Sequence, residues 1–532
     1  MNNTSDRQGL QPLSFWPAFI CMAAFILMGV LFTDQMGAFL NGVLDTISAR
    51  FGWLFMACGL VSFFTIFYLF FSKYGDIRLG GAEEKPDLTL FQWFSICLCS
   101  GIGTGLLFWA SAEPMFFFAQ PAEAWAVEPF SRDAGIIAIS QTAFHWTIMQ
   151  YSMYTLCAVA VAMVVYNRKN ETFAVSTTLY GLLGKEHTGT IGKIVNGVCI
   201  FTLGGAVASS MGGALLLIGS GLENVFGIPS NSAVWLVVAI IMTAVFTISS
   251  ITGMKKGLAL IADINTKVFV GLALFVLVFG PTNFIADLGV TAFGDFLGGF
   301  FERATITNAM TTDEWAKGWT VQFWASFFVV APLIGLFYAR LGRGRTVRQF
   351  IAMTLFGPSA FCFIWIAIFG GTAIYMQDSG TLDIWANIQA NGMETTVYSI
   401  FSSLPLSKLT MIVFVLAIIA SMVTYADPMT AVLATLSCKQ STVDEEAPRK
   451  LKIIWGAAIG TVAYLIIATG GADGIRGMFT LIGFPLMFLV MFVCWSAIRI
   501  AKQMAGEQAE GSLLKAPKTE NAPVSGVAQP AE

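Results

Sequence analysis

Apolar positions in this chain do not alternate with polar ones; they gather into long runs separated by short polar and charged connections. The first run extends from Ser14 to about Thr33 and is too long and too poorly flanked for a cleaved signal peptide. Further runs lie near 50–73, 90–118, 134–166, 194–222, 233–252, 258–285, 318–340, 348–376, 408–437, 453–471 and 477–500. Each reaches the roughly 20 residues that carry a helix across a bilayer core. The pattern predicts an all-α polytopic membrane protein with twelve transmembrane helices in a domain spanning 14–500. A polar segment 1–13 precedes it, and a tail 501–532, rich in Ala, Gly, Pro and Glu, is expected to be disordered. The connection 286–316 places Phe293, Phe296, Phe300 and Phe301 among acids, which predicts a helix lying in the membrane interface.

Cations sort by connection. One alternate set holds Lys73, Arg78 and Lys85, then Arg168 and Lys169, then Lys255 and Lys256, then Arg340, Arg343, Arg345 and Arg348, and later Arg449 and Lys450. The other set has scattered cations amid acids such as Glu123, Glu128, Asp313, Glu314 and Asp473. The positive-inside rule puts both termini in the cytoplasm, and one missed span would scramble the alternation. Composition agrees: of 532 residues only 11% are charged and 56% are hydrophobic, where a soluble domain carries about a quarter charged residues. Nine cysteines sit in or at the ends of apolar runs without a C-x-x-C pair, and there are two histidines. A disulfide scaffold, a zinc site and a nucleic-acid partner are not indicated.

Within this frame, Ser100–Pro114 stands apart, reading S-G-I-G-T-G-L-L-F-W-A-S-A-E-P. Gly101, Gly103 and Gly105 interrupt an apolar run that resumes at Phe108 and Trp109. Backbone freed from helix pairing inside a membrane belongs where it lines a cavity; alternating glycines also let two helices pack closely, and both readings stay open here. In the fourth span, F-H-W-T-I-M-Q-Y-S-M-Y puts Trp146, Tyr151 and Tyr154 within one broad arc at about 100° per residue. In the eighth, Trp324, Phe327 and Phe328 share a face. Aromatics at helical spacing serve packing, but two facing clusters also make a cage for a methylated cation, each ring giving about 0.5–2 kcal/mol when desolvated. Charges inside the spans are few: Asp263 and Lys267 are one turn apart and form an ion pair, Glu113 is a gate or a solvated end, and Asp427 follows Thr424 in V-T-Y-A-D-P. The Thr424 hydroxyl suits Na⁺ together with carbonyls released at the break, or bonds back to its own helix.

With these motifs in hand, the chain resembles the betaine/choline/carnitine transporter (BCCT) family over nearly its whole length. The resemblance rests on G-I-G-T-G with F-W-A-S-A-E-P, F-H-W…Y at 144–154, G-M-K-K-G…D-I-N at 253–265, V-F-G-P-T at 278–282 and V-T-Y-A-D at 423–427. The block A-P-L-I-G-L-F-Y-A-R-L-G-R-G-R-T-V-R-Q-F at 331–350 is the most specific. The resemblance implies a LeuT-type fold with two inverted five-helix repeats, here about 90–285 and 318–500, working by alternating access as a homotrimer in a bacterial inner membrane. It implies import of a methylated onium solute such as betaine, choline, carnitine, dimethylsulfoniopropionate or a small methylamine, by Na⁺ symport and without any other cofactor. Carried over, the substrate residues are Trp146, Tyr151, Tyr154, Trp324 and Phe327 with Trp109 from the broken span. The sodium site takes the Cys99, Ile102 and Ser421 carbonyls and the Thr424 hydroxyl.

The chain departs from the family pattern in three places. Ser326, Phe327 and Val330 stand where the family has further tryptophans, Tyr151 replaces a tryptophan, and Tyr425 replaces a serine that helps ligate sodium. The arginine that substitutes for sodium in carnitine exchangers is matched by Leu260. A sodium-independent exchanger and a proton-coupled symporter are the alternatives, with a channel more remote. An intramembrane enzyme lacks its usual H-E-x-x-H or paired-aspartate signatures.

Overall fold

The computed structural model describes residues 9–81, 84–102, 105–168, 172–253, 255–307, 309–439 and 447–509, and of these 99–102, 255–259 and 508–509 only as helix backbone. Among the described residues the chain is helical throughout, apart from connections and two isolated bridges, Leu10 with Cys438 and Arg78 with Thr346. Ten helices among the described residues are long and apolar enough to cross a membrane. It is thus an all-helical polytopic membrane protein.

The long helices are α1 (Pro12–Leu31), α2 (Thr33–Phe71), α3 (Leu90–Ile102), α4 (Gly105–Ala119), α5 (Arg132–Phe144) and α6 (Gln150–Asn167). They continue as α7 (Thr190–Phe226), α8 (Ser232–Thr252), α9 (Lys255–Phe279), α10 (Thr282–Gly298) and α11 (Gln322–Ala339). The last three are α12 (Gly357–Asp378), α13 (Ser407–Leu436) and α14 (Arg449–Ala509). Burial separates centre from rim. Nearly nine-tenths of the apolar windows of the α5–α6 segment and of α11 is buried, against 28% for α8 and for the Leu260–Phe279 part of α9. A helix apolar on every side has no polar face to turn outward, so it suits either the centre or a lipid-facing rim.

α14 is 61 residues long, about 90 Å if straight and three times a bilayer core. It bends at Gly471, whose φ of 53° and ψ of −136° no side-chain-bearing residue adopts readily. The helix as a whole packs in the bundle against α2, α7 and α11. The helix runs to Ala509, past the boundary at 501 where the tail was expected to lose structure; 510–532 lie outside the described residues. On either side of 103–104, α3 and α4 are described over 13 and 15 residues, about 20 Å each. Gly103 and Thr104 between them lie outside the described residues.

Within 286–316 the chain forms the end of α10 and a short helix Phe300–Thr305. Phe296 and Phe300 are buried while Phe293 and Phe301 are exposed. Arg303 and Asp295 pair, and Arg303 Nη2 also donates to Ser140 Oγ of α5 at 2.9 Å, which pins this segment to the fourth-span helix.

Candidate solute-binding site

A cavity of about 110 Å³ lies between α4, α6, α7, α11, α13 and α14, of the order of an engineered apolar cavity of roughly 150 Å³ that holds benzene. Its walls are mostly rings. α4 supplies Phe108 and Trp109, the start of the fourth-span bend supplies Trp146, α6 supplies Tyr154, and α11 supplies Phe323 and Phe327. Trp146 meets Phe323 at 5.3 Å and Phe327 at 5.4 Å, both edge to face, and Tyr154 stands perpendicular to Phe327 at 6.3 Å. Of the six expected substrate residues, the structure brings Trp109, Trp146, Tyr154 and Phe327 to one cavity.

Tyr151 and Trp324 are not among its lining residues. Tyr151 is fully buried, with its hydroxyl 3.6 Å from Cys362 Sγ. Trp324, also fully buried, packs against Phe144 and His145 at 5.5 Å each, and a Cβ on Gly59 of α2 would meet its ring nitrogen. The displacement of Tyr151 has a local cause. His145–Met149 forms a π-helical turn with Thr147 at φ −121° and ψ −118°, so the 100° step that puts Trp146 and Tyr151 in one arc fails across it. On α11 the lining residues Phe323, Ser326, Phe327 and Val330 follow an i, i+3, i+4, i+7 stripe with Gln322 at its edge, and Trp324 falls outside it. A second π-helical turn, Lys317–Val321, precedes that stripe.

The sequence did not reveal what holds Trp146. Glu113 of α4, expected as a gate or solvated end, is fully buried. Its Oε2 accepts from Trp146 Nε1 at 2.7 Å, and its Oε1 lies 2.5 Å from His145 Nδ1. The far ring nitrogen of His145 meets the Thr320 hydroxyl and the Gln141 amide, each at 3.0 Å. With Thr320 donating to that nitrogen, Nδ1 carries the proton and donates to Glu113, an assignment from donor–acceptor accounting. Two successive residues of the π-turn are thereby tied to one carboxyl group. An acid in an apolar run was the only signal available; its partners are more than 30 residues away.

The polar part of the wall is neutral. Gln150 Nε2 donates to the Tyr154 hydroxyl at 3.1 Å, while Gln150 Oε1, Gln322 Oε1 and Ser209 Oγ are buried with no hydrogen-bond partner among the described residues. Tyr425 also reaches the lining. Gly105 opens α4 against the rings: a Cβ there would come within 2.8 Å of Trp146 Cη2.

The residues implied for sodium are less connected. The Thr424 hydroxyl points to the Ala420 and Ser421 carbonyls of its own helix, at 2.9 and 3.0 Å, and Ser421 Oγ accepts from Asn265 at 2.7 Å. Cys99, Gly101 and Ile102 fall in the backbone-only turn of α3, and Gly103 lies outside the described residues. Asp427 accepts from the Ser249 hydroxyl at 2.5 Å, and Lys267 pairs with Asp263 at 2.6 Å as expected. Among the described residues no group of three or more His, Cys, Asp or Glu could hold a metal ion.

An all-helical bundle of membrane-crossing helices packed around a small ring-walled cavity has the form of a membrane transporter. Residues 13–506 match the BCCT, betaine/carnitine/choline family transporter, and the chain belongs to that family. It is 30% identical to a probable glycine betaine transporter of Desulfitobacterium hafniense over 89% of this chain and 94% of that one. It is 28% identical to an ectoine/hydroxyectoine transporter of Virgibacillus pantothenticus, over 93% and 98%. Identity is also 28% with a high-affinity choline transport protein of Escherichia coli, over 93% of this chain and 72% of the relative.

Proposed function

We propose that this protein is a secondary transporter that carries a methylated onium solute, a trimethylammonium or dimethylsulfonium compound, by alternating access. The carrying observation is the cavity: Trp146, Phe327, Tyr154 and Trp109 converge on one small space whose other polar groups are neutral. A cation whose charge is spread over methyl groups gains from ring faces and makes no demand for hydrogen-bond acceptors. Relatives of nearly equal identity are named for betaine, ectoine and choline, so similarity does not choose among these solutes, and the cavity has to.

The same reading takes α3 with α4 as one broken crossing, α5 with α6 as one and α14 as two, which with α1, α2, α7, α8, α9, α11, α12 and α13 makes twelve, α10 lying outside the count, in two inverted repeats with cytoplasmic termini in a bacterial inner membrane. It takes the assembly as a homotrimer and Na⁺ as the coupling ion, at Thr424, Ser421 and the α3 carbonyls. A ligand shifts inward- and outward-facing populations only through differential affinity, so Na⁺ stabilises the state the solute prefers. A second reading has one observation in its favour: the buried Glu113–His145 pair is a place to hold a proton next to the cage. Uptake of labelled betaine, choline and dimethylsulfoniopropionate into proteoliposomes, under a sodium gradient or a proton gradient alone, separates the two. Uptake driven only by sodium supports the first; uptake driven by protons in the absence of sodium supports the second; uptake of non-methylated solutes alone contradicts both.

A further inference from the structure

Arg476 stands at the rim of the cavity with donors to spare. It sits on α14 beside Ile475 and one turn from Ala472, both of which line the cavity, as does Phe479. Its guanidinium lies 4.7 Å from the Trp319 ring centroid and 5.5 Å from that of Trp109, itself a lining residue. Nη1 has a loose contact with Asp473 at 3.6 Å, and Asp473 is largely exposed. Nε and Nη2 are buried and have no hydrogen-bond partner among the described residues. A guanidinium fork with two shielded, unused N–H groups matches a carboxylate, which accepts two such bonds in one plane.

Its position relative to the cage gives the site a direction. The rings on the inner face of the eighth-span helix run Trp319, Phe323, Phe327, with centroids 6.3 and 5.9 Å apart. Arg476 is at the Trp319 end and Tyr154 at the Phe327 end, with Trp146 between Phe323 and Phe327. An onium group held by Trp146 and Phe327 therefore leaves the rest of the solute facing Trp109 and Arg476. A bare cation meets a buried positive charge there, offset in part by Asp473 at 3.6 Å and by Glu113 further off, whereas a zwitterion brings the acceptor that Nε and Nη2 lack.

We propose that Arg476 is the anion-recognising residue of this site and makes the transporter select zwitterionic onium solutes, those bearing a carboxylate, over plain onium cations. This rests on the proposed function above. The test is equilibrium binding of glycine betaine and of its methyl ester, which keeps the onium group and cancels the negative charge, to the purified full-length protein. The wild type binds glycine betaine at least tenfold more tightly than the ester. Arg476→Gln brings the ratio near one by weakening betaine while the ester binds as well as to the wild type or better, and Arg476→Lys, with the charge but not the fork, falls between. Equal wild-type affinities for the two ligands, a finding independent of whether any variant folds, overturn the proposal, as does an Arg476→Gln protein that keeps the wild-type ratio. Absence of saturable binding of either ligand to the wild type instead overturns the onium function itself.

Discussion

Removing the carboxyl group of Glu113 tests whether the cage is held in place or merely packed. Glu113→Ala deletes the acceptor of the Trp146 indole N–H, at 2.7 Å, and the partner of His145, at 2.5 Å, in a spot where neither side chain reaches water. A buried donor without a partner costs about 1–3 kcal/mol, which the indole escapes by rotating out of its edge-to-face contacts with Phe323 and Phe327. The expected loss of solute affinity is therefore roughly 5- to 150-fold for the one bond to Trp146. Glu113→Gln keeps an oxygen for the indole, and its amide N–H suits the other tautomer of His145, so its affinity should stay within about threefold of wild type. The assay is equilibrium binding of labelled solute to detergent-purified protein, alongside thermal unfolding of each variant. Wild-type affinity in a folded Glu113→Ala protein would refute the clasp. A folded Glu113→Gln variant as weak as the alanine one would show that charge or a proton at Glu113 matters beyond geometry, and would favour proton coupling.

Three further outcomes follow from particular contacts. Gly105→Ala places a methyl group within 2.8 Å of Trp146 Cη2 and should lower solute affinity with little change in thermal stability, whereas Tyr151→Phe, which loses only a hydroxyl facing Cys362, should leave affinity unchanged in the same binding assay. Under the proposed sodium coupling, Thr424→Ala should raise the sodium concentration needed for half-maximal uptake; an unchanged requirement places the ion elsewhere. Outside the membrane, Glu123 accepts from the Thr312 hydroxyl and from the Thr312 and Asp313 N–H groups, which hold its carboxyl below the usual carboxylate range. A depressed folded-state value means that the clasp contributes above the ordinary carboxylate range and is lost as pH falls through the lowered one. Hydrogen exchange at 312–313 should therefore quicken on acidification in the wild type, and should be fast and pH-insensitive, after correction for intrinsic exchange, in Glu123→Gln.

The helical layout was legible because a bilayer demands about 20 apolar residues per crossing, and the runs supply them with few interruptions. The glycine-rich stretch stood out for the same reason, as an anomaly inside such a run, although Gly103 at its centre lies outside the described residues. Register within the fourth span was not. A π-helical turn leaves no hydrophobic trace in a segment that is buried all round, so the arc containing Trp146 and Tyr151 could not be corrected from the sequence. Phe323 was passed over because the family resemblance carried Trp324 beside it into the site, and the packing of Gly59 against Trp324 assigns that tryptophan to the α2 side. Glu113 and Arg476 carried a weak signal as charges near apolar runs. Their partners, Trp146 in one case and Trp109 and Trp319 in the other, come from different helices, and no local spacing encodes such pairs.

The central claim is that rings in this cavity hold a positive charge. Competition of labelled glycine betaine by tert-butylacetate tests it directly, because this carbon analogue keeps the shape and the carboxylate while lacking the onium charge. With about 0.5–2 kcal/mol from each of three desolvated rings, unlabelled betaine should compete at least tenfold more effectively than tert-butylacetate. Equal competition by the two would mean that the cavity recognises shape alone, and would contradict the account.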